Sequence, residues 1–500
     1  MNMFDFLIFD INVGMKRELV SGFIMLIVIS FNSYGQDNHY WYMKYGGEAS
    51  GMGGAVIAGT RDNSAVFYNP GALGFIDDLS ISVNATVYMA QLSRIFNGAG
   101  DGLTLKQWRY TYFPQMLSGM LPFKKLERWR FGYTLMSRYN SYYRFNILET
   151  AKYDVIESID GEESFVGTYE YFNDINEQWG GLGASYRVSD IFSLGLTAFA
   201  SYRNQFYQQV YNARTVPVQD TNYFLVSLGD YDNIRYIHWK LIIKLGFALD
   251  LEKWKIGLSM TMPSIAIYGD ADVQREINLT NFNRINPELA SGDLLAIDRQ
   301  TFLPMHNRSP LSIAIGIRHQ GDKTSIEIDG EYFFGIKPYK MIDAEGQPFI
   351  YPPELVPEDI QEEYDFLAVY NYANPVLNAG IGLKHHFSEK VDMLCGFHTD
   401  FNFKRYEEEA DGYLISSGSW NLYHFTGGIA YKMKSSLISL GLNYYFGIEN
   451  DIPQLLSFSA PKDYLGLSGE ITEDAYVRVH GLAGVISFTY FFQQKQDLPF

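Results

Sequence analysis

"LSISVNATVYMA", residues 79–90, alternates between two kinds of side chain. Ile81, Val83, Ala85, Val87 and Met89 are apolar, and Ser82, Asn84 and Thr86 between them are small and polar. Successive side chains of a strand point to opposite faces, so this period of 2 puts grease on one face and water on the other. The pattern returns in "LSIAIGIRHQ" (311–320), with Leu311, Ile313, Ile315 and Ile317 on one face. It returns again in "LISLGLNYYFG" (437–447), where Leu440, Leu442, Tyr444 and Phe446 oppose Ser439, Gly441 and Asn443. In "GVISFTYFF" (484–492) the row is Ile486, Phe488, Tyr490 and Phe492.

Such runs number about fourteen, inside the range of about 8 to 26 strands found in single-chain bacterial barrels. They fall near 79–90, 107–120, 128–147, 164–187, 191–211, 222–250, 254–272, 309–319, 323–337, 374–387, 390–403, 419–432, 436–448 and 476–492. Tight polar turns at 188–190, 251–253, 320–322, 388–389 and 433–435 follow the fourth, sixth, eighth, tenth and twelfth runs. Long connections at 273–308, 338–373, 404–418 and 449–475 follow odd ones. Sorting by parity is what an up-and-down barrel across an outer membrane requires, with short turns inside and long loops outside. The fold expected is all-β: a transmembrane antiparallel barrel of about 14 strands over residues 79–492. Two loop stretches, 286–296 and 357–366, read as short helices in external lids.

Composition agrees with this class. The chain of 500 residues has 38 Tyr and 36 Phe, a surplus of rings that suits membrane-interface girdles. A net charge of -18 argues against nucleic acid, whose phosphates select for Lys and Arg. The single cysteine, Cys395, has no internal disulfide partner. Near the start, Lys16-Arg17, an apolar run from Leu19 to Phe31 and Ser33-Tyr34-Gly35 ahead of Gln36 have the layout of a secretory signal, so residues 1–35 are expected to be an extension plus signal peptide. The first 14 residues fit no targeting pattern and point to a start placed too early.

A barrel of about fourteen strands is wide enough to leak, because eight fill their own interior and 16 to 18 leave a channel. Residues 36–78 supply the stopper. They contain "YGGEASGMGGAVIAGT" (45–60) and "RDNSAVFYNPGALGF" (61–75), whose glycines permit close packing and whose Asn69-Pro70-Gly71 reverses the chain. Val56, Ile57, Val66, Phe67, Leu73 and Phe75 make the stretch too apolar for a solvated linker.

This segment resembles the N-terminal hatch of the FadL family of outer-membrane transporters for long-chain fatty acids and other hydrophobic compounds. Asp62, Ser64, Phe67, Tyr68, Asn69 and Pro70 carry the match, with Gly71 where alanine is usual. The stretches 396–402 and 422–447 also look like this family, and the tail 493–500, beyond Phe492, departs from it. The resemblance implies diffusive uptake of hydrophobic molecules without a cofactor: capture between external loops, transfer to an internal pocket, and sideways release through a kink in the third strand. Gly132, or the polar interruption around Asn140, would supply that kink. Implied partners are the hydrophobic solute, outer-membrane lipids and the barrel assembly machinery, which would read Phe492 or Phe500; a monomer is expected. The acidity of the chain weighs against a fatty-acid anion and leaves a neutral hydrophobe open.

Other motifs carry bland readings. "GMGGAV" (51–56) lacks the strand and βαβ context of a dinucleotide loop. His385 and His386 point to opposite faces, and His306, His398 and His424 are scattered through lumen or interface positions, so no metal or catalytic centre is expected. Asp270, Asp272 and Glu407–Glu409 are loop-edge charges without calcium-cage spacing, and Asn307-Arg308-Ser309 is followed by Pro310. No Ser–His pair suggests a barrel hydrolase, so the chain is not expected to be an enzyme. The alternative function is a non-transporting barrel that serves protein secretion as a partner platform, in the manner of the type IX shuttle proteins.

Overall fold

The computed structural model describes residues 39–121, 123, 126–219, 222–285, 293–351, 366–403, 413–414 and 420–492. The expected signal segment, the tail 493–500, the run Glu407–Glu409 and all but Phe366 of the candidate helix 357–366 lie outside them.

Fourteen strands form a closed antiparallel wall. They are β1 (Ser80–Phe96), β2 (Leu105–Leu121), β3 (Trp129–Tyr153), β4 (Glu163–Arg187), β5 (Phe192–Val216), β6 (Val226–Asp250), β7 (Trp254–Thr261 and Ile265–Thr280), β8 (Leu294–Pro304 and Ser312–Gln320), β9 (Thr324–Phe333), β10 (Val376–His386), β11 (Val391–Asp400), β12 (Asn421–Lys432), β13 (Ser436–Ile452) and β14 (Ala475–Phe491). Closure is complete: β1 pairs with β2 on one side and, from Ser80 opposite Phe491 to Phe96 opposite Tyr476, with β14 on the other. Closing bonds such as Leu251 N–H to Trp254 O (2.8 Å) and Met433 N–H to Ser436 O (2.8 Å) make the turns after the even strands as tight as the sequence indicates.

The barrel wall is apolar outside, and its interior holds polar side chains beside a large buried aromatic and aliphatic cluster. On the outside, Val83, Leu135, Leu182, Ile315, Ile328, Leu440 and Phe488 are exposed, while Ser82, Asn84, Thr134, Ser201, Lys240 and Glu327 are buried within. Aqueous solvent would penalise that exterior at about 25 cal/mol per Å2. Lipid would not. No helix among the described residues is long and apolar enough to cross a membrane, so any crossing is by strands. The strands β3 to β6 have 25 residues each. A crossing needs only about 9–11, so roughly half of each stands beyond the apolar zone.

Three expectations are corrected. The alternation in β1 holds only to Val87, because a register shift between Thr86 and Tyr88 inserts a residue, turning Met89 into the lumen and exposing Tyr88. The stretch 273–308 is not mainly loop: β7 and β8 continue into it as a hairpin, pairing from Asp270 opposite Pro304 to Leu279 opposite Leu294. For that reason Leu294 to Ala296 of the candidate helix 286–296 are strand, the rest of that helix lying outside the described residues apart from Asp293.

Inside the wall, residues 39–79 form a compact insert of two short helices, α1 (Gly47–Gly51) and α2 (Ala65–Tyr68), and a 3-10 turn (Pro70–Phe75). Wall strands make room for its backbone with glycine. A Cβ on Gly195 would strike the Pro70 carbonyl, and one on Gly246 the Asn69 side chain. A small inner sheet, Ile336–Ile342 with Val369–Ala373 and Tyr413–Leu414, lies apart from the wall sheet.

Candidate functional site

The motif residues of the insert hold one another and the wall. Asp62 accepts from the Ser64 N–H (2.9 Å) and from its hydroxyl, closing a turn ahead of α2. Burial pushes the Asp62 carboxyl up, which the Ser64 bonds partly offset. Fully buried Asn69 donates to Ile57 O (2.9 Å) and to Phe247 O on β6 (3.0 Å), and its carbonyl caps the 3-10 turn through Gly71 N–H (3.0 Å). Pro70 follows at the first turn position, where a missing N–H costs nothing. The Tyr68 hydroxyl accepts from Tyr45 N–H (3.0 Å), which fixes α2 against the start of the insert.

Ion pairs complete the seat. Glu48 pairs with Arg318 (2.6 Å) on β8 and Lys384 (2.7 Å) on β10. Glu327 and Asp329 of β9 accept the N–H groups of Ile57, Ala58 and Gly59. Arg61 reaches Asp250 at the lower end of β6.

Above this insert is a cavity of about 160 Å3. Phe67, the next motif residue, forms part of its floor, meeting Trp179 and Phe199 edge to face at 6.2 and 6.4 Å. Cations crowd the lining. Glu177 takes Lys240 (3.2 Å), Arg203 (3.0 Å) and the Trp179 indole N–H (2.7 Å), and Glu331 takes the Trp41 indole N–H (2.6 Å). Lys244 and Arg138 have no ion-pair partner among the described residues. The Lys244 ammonium stands 4.7 Å from the Phe67 ring centre, and the Arg138 guanidinium 5.4 Å from that of Trp179. An aromatic floor beneath two such cations suits a solute with an apolar body and an anionic head.

Arg138 reaches the cavity through a bulge. The β3–β4 register shifts between Ser137 and Tyr139, so Arg138 and Tyr139 both line the lumen side. At the same level β2 and β3 part: their ladder ends at Met116 opposite Met136. Pro114, with no N–H to give, sits at that point of β2. Side chains span the break, with Arg109 donating to Asn140 and Gln107 accepting from Arg144 N–H (3.0 Å). Asn140 therefore lies at the parting of the strands. Gly132 does not: its ladders to Met120 and Gly183 are continuous, and its bare face receives Val66 of the insert.

His398 and His424, scattered in sequence, stack at 4.3 Å in the buried interior, whereas His385 and His386 turn apart to Thr324 and Asp392. Lys244, Trp179 and Glu177 were not singled out by sequence, because a lone lysine or carboxylate in a strand carries no spacing signal.

No family profile and no curated protein sequence matches the chain. Solved structures do. A Pseudomonas aeruginosa FadL homologue superposes with a TM-score of 0.55 at 14% identity, covering 91% of this chain and 100% of that one. The fold is that of the FadL family. Two FadL-like toluene transporters also share it: TodX of P. putida, with a TM-score of 0.53 at 13% identity over 90% of this chain and 99% of that one, and TbuX of Ralstonia pickettii, at 0.51 and 14% over the same shares.

Proposed function

We propose that this protein is an outer-membrane channel for hydrophobic small molecules that carry an anionic head, with long-chain fatty acids as the leading class. The observation that carries the reading is the pairing of Lys244 and Arg138 with the Phe67–Trp179 floor. Although the chain is acidic overall, the cavity wall brings Lys44, Arg138, Arg203, Lys240, Lys244 and Arg308 against Glu177 and Glu331. Its local field therefore attracts the anion that the net charge would repel.

On this reading the N-terminal segment is the plug, exported behind a signal peptide, and the solute moves downhill into the cavity. Release is sideways into the membrane, since an apolar tail gains nothing by crossing to water. No covalent step is required. The apolar exterior and the FadL-like fold support the outer-membrane setting.

The test is equilibrium binding to the purified protein in detergent, with palmitate and toluene as separate probes. Saturable palmitate binding that toluene does not displace is the expected result. Tighter binding of toluene than of palmitate would replace the anionic class by neutral hydrocarbons, and binding of neither would remove the transport reading.

A further inference from the structure

The wall contains a second interruption, between β7 and β8. Their ladder runs up to Thr261 opposite Ser312 and resumes at Asp270 opposite Pro304. Between those limits the strands part, so 262–269 faces 305–311 across a window closed above and below. Among the described residues the hydrogen bonds across it are those of Ser264 and Ser309, Ser309 N–H to Ser264 Oγ (2.8 Å) and Ser264 N–H to Ser309 O (3.3 Å).

The sequence dictates the parting. Pro263 on one side and Pro304 and Pro310 on the other lack the N–H that a ladder uses. The segment between Pro304 and Pro310 turns into the lumen: Gly269 faces inward beside His238, and a Cβ on Gly269 would strike the Met305 carbonyl. Its backbone is satisfied there. Met305 bridges Ile342, His306 N–H donates to Met341 O (2.9 Å), and Arg308 N–H to the Tyr339 hydroxyl (3.0 Å). The inward course is thus a built feature and not a frayed edge.

On β7, which stays paired with β6 along its other edge, the described residues show no such replacement toward β8 beyond Ser264. Ile265 to Tyr268 are all exposed, including Ala266, whose ladder partner Lys240 is a buried lumen residue. In hydrocarbon an unpaired strand edge costs several kcal/mol per group, and irregular backbone at membrane depth is tolerated where it borders a cavity. A cavity is present. Thr261 and Asn307 to Pro310, on the inner side of the window, line the same 160 Å3 space as Phe67 and Lys244. The outer rim is apolar, formed by Met262, Ile265, Ile267 and Tyr268. Tyr268 is paired with Trp239, which packs on Tyr202 at 4.9 Å, so the window stands level with aromatic residues of the kind that mark a membrane interface.

We infer that the β7–β8 window is a lateral portal, through which an aliphatic carboxylic acid passes between the cavity and the outer leaflet. This inference rests on the transport reading above and names a route different from the β2–β3 break. That break is occupied by Arg109 and Gln107, whereas among the described residues the two edges of the β7–β8 window are joined directly by the serine pair alone, with the Lys240 ammonium of β6 behind it on Asn307 (3.2 Å) and Ser309 (2.9 Å).

The experiment uses the full chain with Cys395 replaced by alanine, reconstituted in vesicles, and a hexadecanoic acid bearing a diazirine on its tail. Photolysis should label Phe67 or Trp179 in the cavity and Ile265 to Tyr268 at the window. Ile267→Cys is then introduced and blocked after folding with a bulky maleimide; window labelling and the rate of transfer to the lipid should both fall while cavity labelling remains. Ala266→Trp, which fills the window from the lumen side, should act in the same way. Cavity labelling accompanied by label only along 107–115 and 137–144, with transfer unaffected by the maleimide, would overturn the portal and leave the transport reading standing. Absence of label from the cavity would overturn both.

Discussion

On the proposed reading, Lys244 is the residue on which ligand class turns. Its ammonium sits over Phe67 with Glu331 acting on it only from beyond ion-pair distance, so a carboxylate entering the cavity gains a direct charge-assisted bond that no described residue makes. Such a bond contributes about 1.5–3 kcal/mol, and Lys244→Met should therefore weaken palmitate binding roughly tenfold to a hundredfold. Toluene binding should be unchanged, as calorimetry with both probes will show. Asn69 tests the insert instead. Asn69→Ala deletes two buried side-chain donations and a cap, at about 1 kcal/mol each. The expected loss is roughly 2–3 kcal/mol of unfolding free energy, read from urea denaturation of the refolded barrel. The Asn-Pro-Gly phrase was legible in the sequence because turn chemistry is local. Lys244 was not, since its meaning depends on Phe67, far away in the chain.

At the scale of elements, the two breaks have one cause with different consequences. Proline ends a ladder in each: Pro114 beside β3, and Pro263, Pro304 and Pro310 between β7 and β8. At the first break side chains take over the bonding, and Gln107 accepts the Arg144 amide in place of a strand. Gln107→Leu removes that acceptor. Amide exchange at Arg144 should accelerate about fivefold, the equivalent of one net hydrogen bond, with β4-paired amides farther up β3 unaffected. Equal exchange in both proteins would show that the break is held by something other than Gln107. The bulges at Val87 and Arg138 were invisible to periodicity, because one inserted residue flips every later side chain while leaving the alternation itself intact. That is why Met89 reads as lipid-facing in the sequence and is buried in the lumen.

For the whole molecule, strand number and the placing of turns were legible because both follow from local alternation and local turn chemistry, as at 251–253 and 433–435. The fit of insert to wall was not, since it depends on pairs such as Glu48 with Arg318 and Gly195 with Pro70 that only closure brings together. This fit makes seating of the insert depend on pH in a direction that can be derived. Burial pushes the Glu48 carboxyl up, but Arg318 and Lys384 outweigh it and hold the group well below the usual carboxylate range. A carboxylate depressed in the folded state contributes stability above its unfolded pKa, and that contribution is lost as pH falls through the acid range. Lys44 acts on the alkaline side. Burial, only partly offset by Asp400, pushes its ammonium down to about 7. Between there and its ordinary value near 10.5 the unfolded chain binds the extra proton, so stability rises with pH across that interval. The insert should thus be held least firmly in acid and most firmly in mild alkali. Exchange of the Ile57, Ala58 and Gly59 amides, corrected for intrinsic rate, reports the seating directly because all three donate to β9 carboxylates. Glu48→Gln should flatten the acid limb of the profile and Lys44→Met the alkaline limb. A profile that neither substitution alters would mean that the two ion sites do not hold the insert in place.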